Sequence, residues 1–173
     1  MSVLRFAIVA AGMVLAGSPA AAQELKQLAQ TCDATIASGP AERIAACTRL
    51  IDGRSLNARE ASLAHMHRAW PESISGSLDQ ALDDLNEAVK LAPQSPIVRS
   101  ERGFVQLRLG RLNAAIADYT IALQLDPRTV YAFYGRGIAR LRNNDKSGNA
   151  DLEAARALQT GVDNVFAGLG IRP

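Results

Sequence analysis

The sequence predicts an all-α fold, a short right-handed solenoid of antiparallel helix hairpins, and three observations lead to it. An arginine followed by a tiny residue recurs at a constant step of 34 residues, in the pairs Arg68-Ala69, Arg102-Gly103 and Arg136-Gly137. Helix-forming segments flank each pair, and a turn residue follows at the same step. A fixed period of this size is typical of stacked copies of one supersecondary unit.

The first helix of each unit is predicted over residues 62–75, 96–109 and 130–143, where large apolar residues form mixed faces. Each segment then reaches a residue type that tolerates the left-handed conformation at a helix C-terminus. These turn residues are Gly76, Gly110 and Asn144.

The second helix of each unit is predicted over residues 81–93, 115–127 and 148–160. Small and apolar residues recur there at steps of four and three, which places them on one helix face. In the first of these helices they are Ala81, Leu85, Ala88 and Leu91. Pro93 and Pro127 end two of the helices, since proline cannot continue the backbone hydrogen-bond ladder. Ser77-Leu78-Asp79-Gln80 predicts a capping box at a helix start.

Two departures from the period carry their own predictions. Pro71 lies inside a first helix and predicts a kink or an early end near Trp70. Thr160 replaces the closing proline of the last unit, so the chain can continue into a terminal helix over residues 161–173 that covers the open end of the stack. The apolar stripe of that helix is Val162, Val165, Phe166 and Leu169.

The repeat resembles the tetratricopeptide repeat, and the resemblance covers residues 62–160 as the units 62–95, 96–129 and 130–160. It implies that the tiny residue after each arginine lets the two helices of a hairpin approach. It also implies that the first helices line a concave surface that binds a peptide or protein segment. The groove residues expected from the resemblance are Met66, Trp70, Phe104, Arg108, Tyr131, Tyr134, Ile138 and Arg142.

Aromatic side chains flanked by arginine suit peptide capture, because such residues dominate interface energetics. The alternative is that several of them pack between neighbouring helices. The Asn and Lys pattern that some family members use to clamp a peptide's terminal carboxylate is missing, so a receptor for chaperone tails is not expected.

Residues 1–22 predict a secretory signal peptide, with Arg5, an apolar run, a Gly-Ser-Pro break and cleavage after Ala22. An uncleaved membrane anchor is the alternative, although the apolar run is shorter than a bilayer requires. We therefore expect a soluble, exported, periplasmic protein that is not embedded in a membrane after cleavage.

Export favours a disulfide between Cys32 and Cys47, since a cysteine pair in a small exported domain is more often oxidised than catalytic. The segment 23–61 then forms a degenerate fourth hairpin, with Cys47 in register with Tyr119 on the inward face of a second helix. The arrangement resembles small exported bacterial proteins of this repeat class that carry a paired-cysteine segment before the repeats.

The three arginines stand 15 or 16 residues before an acid, in the pairs Arg68 and Asp84, Arg102 and Asp118, and Arg136 and Asp151. A feature repeated in every unit usually serves the stacking that every unit shares. We therefore interpret these six residues as a structural ladder of ion pairs and not as a ligand site.

Other chemistry has little support in the sequence. The net charge of +2 includes no basic stripe of the kind that binds nucleic acid. His65 and His67, two residues apart on a helix, point in different directions and do not form a metal site with the cysteines. We expect no cofactor, no metal and no catalytic activity, because no nucleophile, base and orienting group can be placed together.

The favoured function is a non-catalytic protein-protein interaction module whose concave groove binds a peptide or protein segment. A self-associating structural scaffold of the cell envelope is the second hypothesis, and an enzyme or metal-binding protein is the third. Repeat arrays share a scaffold while their ligands depend on a few groove residues, so the partner stays unidentified.

Overall fold

The computed structural model describes residues 18–33, 38–53 and 56–172. Within those ranges the chain forms helices and no strands, which confirms the all-α class. The helices are α1 (Pro19–Asp33), α2 (Pro40–Asp52), α3 (Ala58–Ile74), α4 (Leu78–Leu91), α5 (Pro96–Arg108), α6 (Leu112–Leu125), α7 (Val130–Arg142), α8 (Gly148–Leu158) and α9 (Val162–Gly168). Residues 1–17 of the predicted signal peptide lie outside the described part. No helix in these ranges combines the length and apolar character that crossing a bilayer demands.

Three hairpins, α3 with α4, α5 with α6 and α7 with α8, follow one another as the period predicts. The pair α1 and α2 forms an additional hairpin that packs on α3, and α9 packs on α7 and α8. Neighbouring first helices contact each other, whereas α4, α6 and α8 do not touch one another in the described chain. The stack is therefore curved, and α3, α5 and α7 lie on its inner side.

A left-handed residue closes the first helix of every repeat, as the sequence predicts. The φ angles are 91° at Gly76, 72° at Gly110 and 61° at Asn144. Glycine adopts this conformation without steric cost, and asparagine is the next most tolerant residue. The same turn at the same position gives each hairpin the same geometry.

The two helices of the last hairpin meet at a pair of glycines. A Cβ added to Gly137 would lie 2.8 Å from the carbonyl oxygen of Gly148 and 2.8 Å from the side chain of Leu152. Real Cβ atoms do not approach other atoms so closely, so α7 and α8 can cross here only because residue 137 has no side chain. This is the close approach expected from the tiny residue after each arginine.

Each of the three arginines forms the same bidentate salt bridge with its aspartate. In the middle hairpin, Arg102 donates from Nε to Oδ2 of Asp118 at 2.7 Å and from Nη2 to Oδ1 at 2.8 Å. The other two pairs repeat both bonds at 2.7 to 2.8 Å. All three aspartates are buried, so each carboxylate depends on its arginine for compensation of its charge.

The remaining guanidinium nitrogen, Nη1, connects each repeat to the hairpin before it. Arg102 donates to Oδ1 of Asn86 on α4 at 3.1 Å, and Arg136 donates to Oγ1 of Thr120 on α6 at 3.4 Å. Arg68 does the same to Thr48 on α2 at 3.0 Å. The ladder therefore bonds both within and between hairpins.

The aspartates also receive a second basic group. His65 lies 2.9 Å from Asp84, Arg99 donates to Asp118 at 3.2 Å, and Arg140 donates to Asp151 at 2.7 Å. Burial alone would raise the pKa of Asp84, but the hydrogen bonds from Arg68 and His65 hold it below its usual value.

The capping box predicted at Ser77 is wrong. Ser77 does occupy the N-cap position of α4, but its side chain makes no capping hydrogen bond. A complete capping box lies instead at Asn57 before α3, where Asn57 Oδ1 accepts from the Glu60 N–H at 3.0 Å and Glu60 Oε2 accepts from the Asn57 N–H at 2.9 Å. Ser77 has ψ near 58°, outside the extended region from which an N-cap side chain normally reaches back.

The early helix end predicted near Trp70 is also wrong, because α3 continues through Pro71 to Ile74. Proline removes only its own N–H from the ladder, and the next bonds are intact: the Ser75 N–H donates to the Pro71 carbonyl at 3.0 Å. The hydroxyl of Ser73 adds a bond to the Trp70 carbonyl at 2.8 Å. These contacts hold the last turn of the helix together.

The additional hairpin brings its two cysteines together. The sulfur atoms of Cys32 on α1 and Cys47 on α2 lie 2.11 Å apart, and the Cα atoms lie 4.9 Å apart, a separation that a disulfide spans. Both side chains are buried. Within the described residues this hairpin packs on α3 alone, so a covalent link would contribute most at this end of the stack.

Replacing both cysteines by alanine is expected to lower the free energy of unfolding by about 3 kcal/mol, the loop-closure value for a loop of this size. Denaturant unfolding of the oxidised protein and of the double variant measures the difference. Thiol alkylation with and without reductant provides the control. Two free thiols in the unreduced protein would contradict the disulfide.

Candidate functional site

The inner side of the stack carries the residues predicted to form a groove, and α9 lies against it. The Phe166 ring of α9 packs between α5 and α7, with its centroid 6.3 Å from that of Phe104 and 4.5 Å from that of Tyr134. Asp163 of α9 accepts a hydrogen bond from the Tyr134 hydroxyl at 2.8 Å. Helix α9 therefore packs on the last hairpin and also occupies part of the inner face.

Three of the predicted groove residues are buried. Phe104, Tyr134 and Ile138 are 6%, 1% and 0% exposed and belong to one core cluster. The alternative that some of the predicted groove residues pack between neighbouring helices describes these three side chains. Periodicity places a residue on a helix face but does not show that a later segment covers that face.

Two further groove residues are engaged with backbone carbonyl groups. Arg108 Nη1 donates to the Ser73 carbonyl near the end of α3, and its guanidinium lies 5.9 Å from the Phe104 ring centroid. Arg142 Nη2 donates to the Arg172 carbonyl at 2.8 Å. Arg108 thus ties two first helices together, and Arg142 holds the tail that follows α9.

Trp70, Phe104 and Tyr131 line an open cavity of about 550 Å³ between α3, α5 and α9. Its walls are aromatic: Trp70, Phe104, Tyr131 and Phe166 all line it. The centroids of Trp70 and Phe104 lie 5.7 Å apart, and those of Tyr131 and Phe166 lie 6.1 Å apart. The polar lining is limited to Ser100, Glu101, Tyr119 and Asn164. Met66 packs on the core beside this cavity and does not line it.

Tyr119 reaches the cavity because α5 and α7 have no side chain in its path. A Cβ on Gly103 would lie 3.1 Å from the Tyr119 ring, and one on Gly135 would overlap the hydroxyl end of the ring. The equivalent positions in the neighbouring hairpins hold the shorter Leu85 and Leu152. Among the three second helices, only α6 carries a tyrosine at this position.

The Tyr119 hydroxyl is buried and has no hydrogen-bond partner among the described residues. Leaving a buried hydroxyl unpaired costs about 1–3 kcal/mol. Burial, reinforced by Glu101 and Asp118, raises the pKa of Tyr119 well above its usual value, so the group stays a neutral hydroxyl.

Glu101 is the charged residue of the cavity. Burial raises the pKa of its carboxyl to about 7, and no described side chain donates a hydrogen bond to it. Glu101 is not among the groove residues predicted from the sequence, and Tyr119 was predicted only to lie on the inward face of its helix. The sequence did contain one signal for this site. Tyr119 and Gly135 each differ from the residues at the equivalent positions of the neighbouring repeats.

The two histidines have separate partners. His65 contacts Asp84, while His67 Nε2 lies 3.2 Å from Asp33 Oδ1 on α1. Burial lowers the pKa of His67, with Asp33 opposing that shift and Arg43 adding to it. Both histidines therefore belong to contacts that connect α3 to its neighbours.

A second carboxyl with a raised pKa lies outside the cavity. Burial, reinforced by the Asp84 carboxylate and opposed by Arg68, raises the pKa of Glu72 to about 7. One Glu72 oxygen, Oε2, is buried with no hydrogen-bond partner in the described chain. Burial is therefore the main cause of the raised pKa of both carboxyls.

The family and structure comparisons agree with this geometry. Residues 107–144 match the family model described as TPR repeat. A TPR repeat-containing thioredoxin of Arabidopsis thaliana is 36% identical over 89 residues, covering 50% of this chain and 23% of the relative. A FAM10 family protein of the same organism is 35% identical over 65 residues, covering 38% and 15%. The chain spans less than a quarter of the length of either relative.

Three solved structures share the fold. MamA superposes with a TM-score of 0.67 at 15% identity, covering 89% of this chain and 81% of its own. The first TPR of Spaghetti (RPAP3), bound to the HSP90 peptide SRMEEVD, has a TM-score of 0.57 at 20% identity, with coverages of 65% and 92%. YrrB, described as a TPR protein with an unusual peptide-binding site, has a TM-score of 0.61 at 17% identity, with coverages of 76% and 66%.

The hairpins stack one after another, each has the same turn, and their first helices form the inner face. These features define a helical-repeat protein of the solenoid class. Residues 107–144 match the tetratricopeptide repeat model. The fold of the described chain is similar to that of solved tetratricopeptide repeat structures.

Removing either raised carboxyl is expected to change how stability depends on pH. A carboxyl whose pKa rises from 4.5 to about 7 on folding contributes stability that is fully present below about 4.5 and is lost as pH rises through about 7. The decline in the free energy of unfolding between pH 5 and pH 7.5 should therefore be smaller in Glu72→Gln and in Glu101→Gln than in the parent protein.

Denaturant unfolding at the two pH values measures this difference. The lowered pKa of His67 makes stability rise with pH instead. Because His67 is present in every protein compared, its contribution cancels from the difference. The exposed Glu87→Gln on α4 is the control and should leave the pH dependence unchanged. A decline of equal size in all four proteins would contradict the raised pKa values.

Proposed function

We propose that this protein is an exported, non-catalytic interaction module that binds a peptide segment of a partner protein against the inner face of its repeats. The observation that carries the proposal is the open aromatic cavity between α3, α5 and α9. It combines apolar walls with a small number of polar groups, which is the usual composition of a ligand site.

The arrangement of exposed residues supports an extended ligand. Leu63, Ile97 and Tyr131 occupy one repeating position on α3, α5 and α7, and each is at least 40% exposed. They form an apolar row beside the cavity, so a bound segment can continue along the stack on both sides of it. Contiguous exposed apolar surface of this kind usually marks an interaction site.

The structural relatives support a peptide ligand in general terms. One is a repeat domain bound to a peptide, and another is described by its peptide-binding site. The proposal of export depends on the signal-like sequence of residues 1–22 and on the adjacent buried cysteines. In an oxidising compartment that pair would persist as a disulfide.

The test is selection of peptides from a random display library on the purified protein, followed by affinity measurements on groove variants. Tyr131→Ala removes an exposed ring of the cavity wall and is expected to weaken a selected peptide by about tenfold or more, as interface aromatics commonly do.

The matched control is Leu91→Ala, which removes an exposed apolar side chain on α4, away from the inner face. It should leave the affinity unchanged. If no peptide is enriched, or if the two variants behave alike, the inner face is not the peptide site. Light scattering on the same samples distinguishes self-association, which would appear as a mass that increases with concentration.

A further inference from the structure

We propose that the cavity between α3, α5 and α9 binds a basic side chain, lysine or arginine, of the partner peptide, with Glu101 as its counter-ion. This inference rests on the proposed peptide-binding function and names the chemistry of the residue that enters the cavity. Three independent features of the cavity support it.

The first feature is the aromatic enclosure. Five aromatic side chains line the cavity: Trp70, Phe104, Tyr119, Tyr131 and Phe166. A cation over an aromatic face is attracted by the ring quadrupole, and the attraction grows as the cation loses water. The apolar stem of a basic side chain would at the same time pack against the ring faces.

The second feature is the charge. Glu101 is the ionisable acid among the lining residues, and none of the lining residues is basic. The ladder arginines cannot serve as its partner, because Arg68, Arg102 and Arg136 are each bound to a buried aspartate. Arg108, at the rim on Phe104, is held by the Ser73 carbonyl. An incoming cation would therefore supply compensation that the described chain does not provide.

The third feature is the Tyr119 hydroxyl, which is buried without a hydrogen-bond partner among the described residues, although the Tyr119 side chain lines the cavity. An ammonium or guanidinium group carries several donors and no acceptor. A cation paired with Glu101 therefore has further donors, and one of them can satisfy the Tyr119 oxygen once a small shift of the ring exposes it. An apolar side chain would leave both groups unpaired.

These features also distinguish this cavity from a site for acidic peptides. A carboxylate ligand needs basic or amide donors, and it would face Glu101 with the same sign of charge. Two negative charges placed next to each other cost free energy, so an acidic peptide would bind more weakly than a basic one. The cavity should therefore discriminate by charge as well as by shape.

The experiment uses the peptides selected on the full chain. We expect them to contain lysine or arginine at a shared position. Replacing that residue by norleucine, which keeps the stem and removes the charge, should weaken binding by about tenfold or more, and replacing it by glutamate should weaken it further. Equal affinity of the lysine and norleucine peptides would overturn the inference.

Two protein variants assign the effect to the cavity. Glu101→Gln should remove most of the preference for lysine over norleucine, and Tyr119→Phe should reduce affinity for the lysine peptide while keeping the ring. Glu87→Gln on α4 is the control for loss of an exposed acid. Thermal unfolding of each variant establishes that it is folded.

The outcomes separate this inference from the proposed function. If selected peptides depend on Tyr131 but ignore Glu101 and carry no basic residue, the groove binds peptides and the inference is wrong. If no peptide depends on Tyr131, the proposed function itself fails. If peptides depend on Tyr131, and on Glu101 only when they carry a cation, both stand.

Discussion

The rest of this structure depends on one interaction, the bidentate salt bridge in each hairpin between an arginine on the first helix and a buried aspartate on the second. An unpaired aspartate would be costly in the core, so each arginine fixes the angle and register of its own hairpin. Its third nitrogen then reaches the hairpin before, at Thr48, Asn86 or Thr120. One repeated residue pair therefore sets both the fold of each unit and its stacking on the previous unit.

Most of the fold could be predicted from the sequence because the same physical constraint recurs at one step. The positive φ angles at Gly76, Gly110 and Asn144 follow from residue type. The two wrong predictions about helix ends, at Ser77 and Pro71, have local causes. Ser77 has the right neighbours for a capping box but the wrong ψ, and Pro71 costs one bond without ending its helix. Neither outcome can be derived from residue type alone, since both depend on how the following residues are held.

The candidate site was harder to predict, because it arises where the repeats differ. Phe166 packs against Phe104 and Tyr134 on the inner face, and the repeat period does not predict where a terminal helix will pack. What stays open is the middle of the groove. There Gly135 makes room for Tyr119, and Glu101 replaces the histidine and glycine of the adjacent repeats. The arginine–aspartate ladder thus has the same geometry in every repeat, whereas the chemistry of the cavity comes from residues that differ between the repeats.

The most direct test of the account is the free energy of unfolding of Asp118→Ala compared with that of Asp79→Ala. Both aspartates contact an arginine across helices, but Asp118 is buried with two bonds from Arg102, whereas Asp79 is exposed and 3.4 Å from Arg111. If the ladder holds the stack, the first variant loses about 3–5 kcal/mol and the second less than about 1 kcal/mol. Similar small losses in both variants would contradict the central role of the arginine–aspartate ladder.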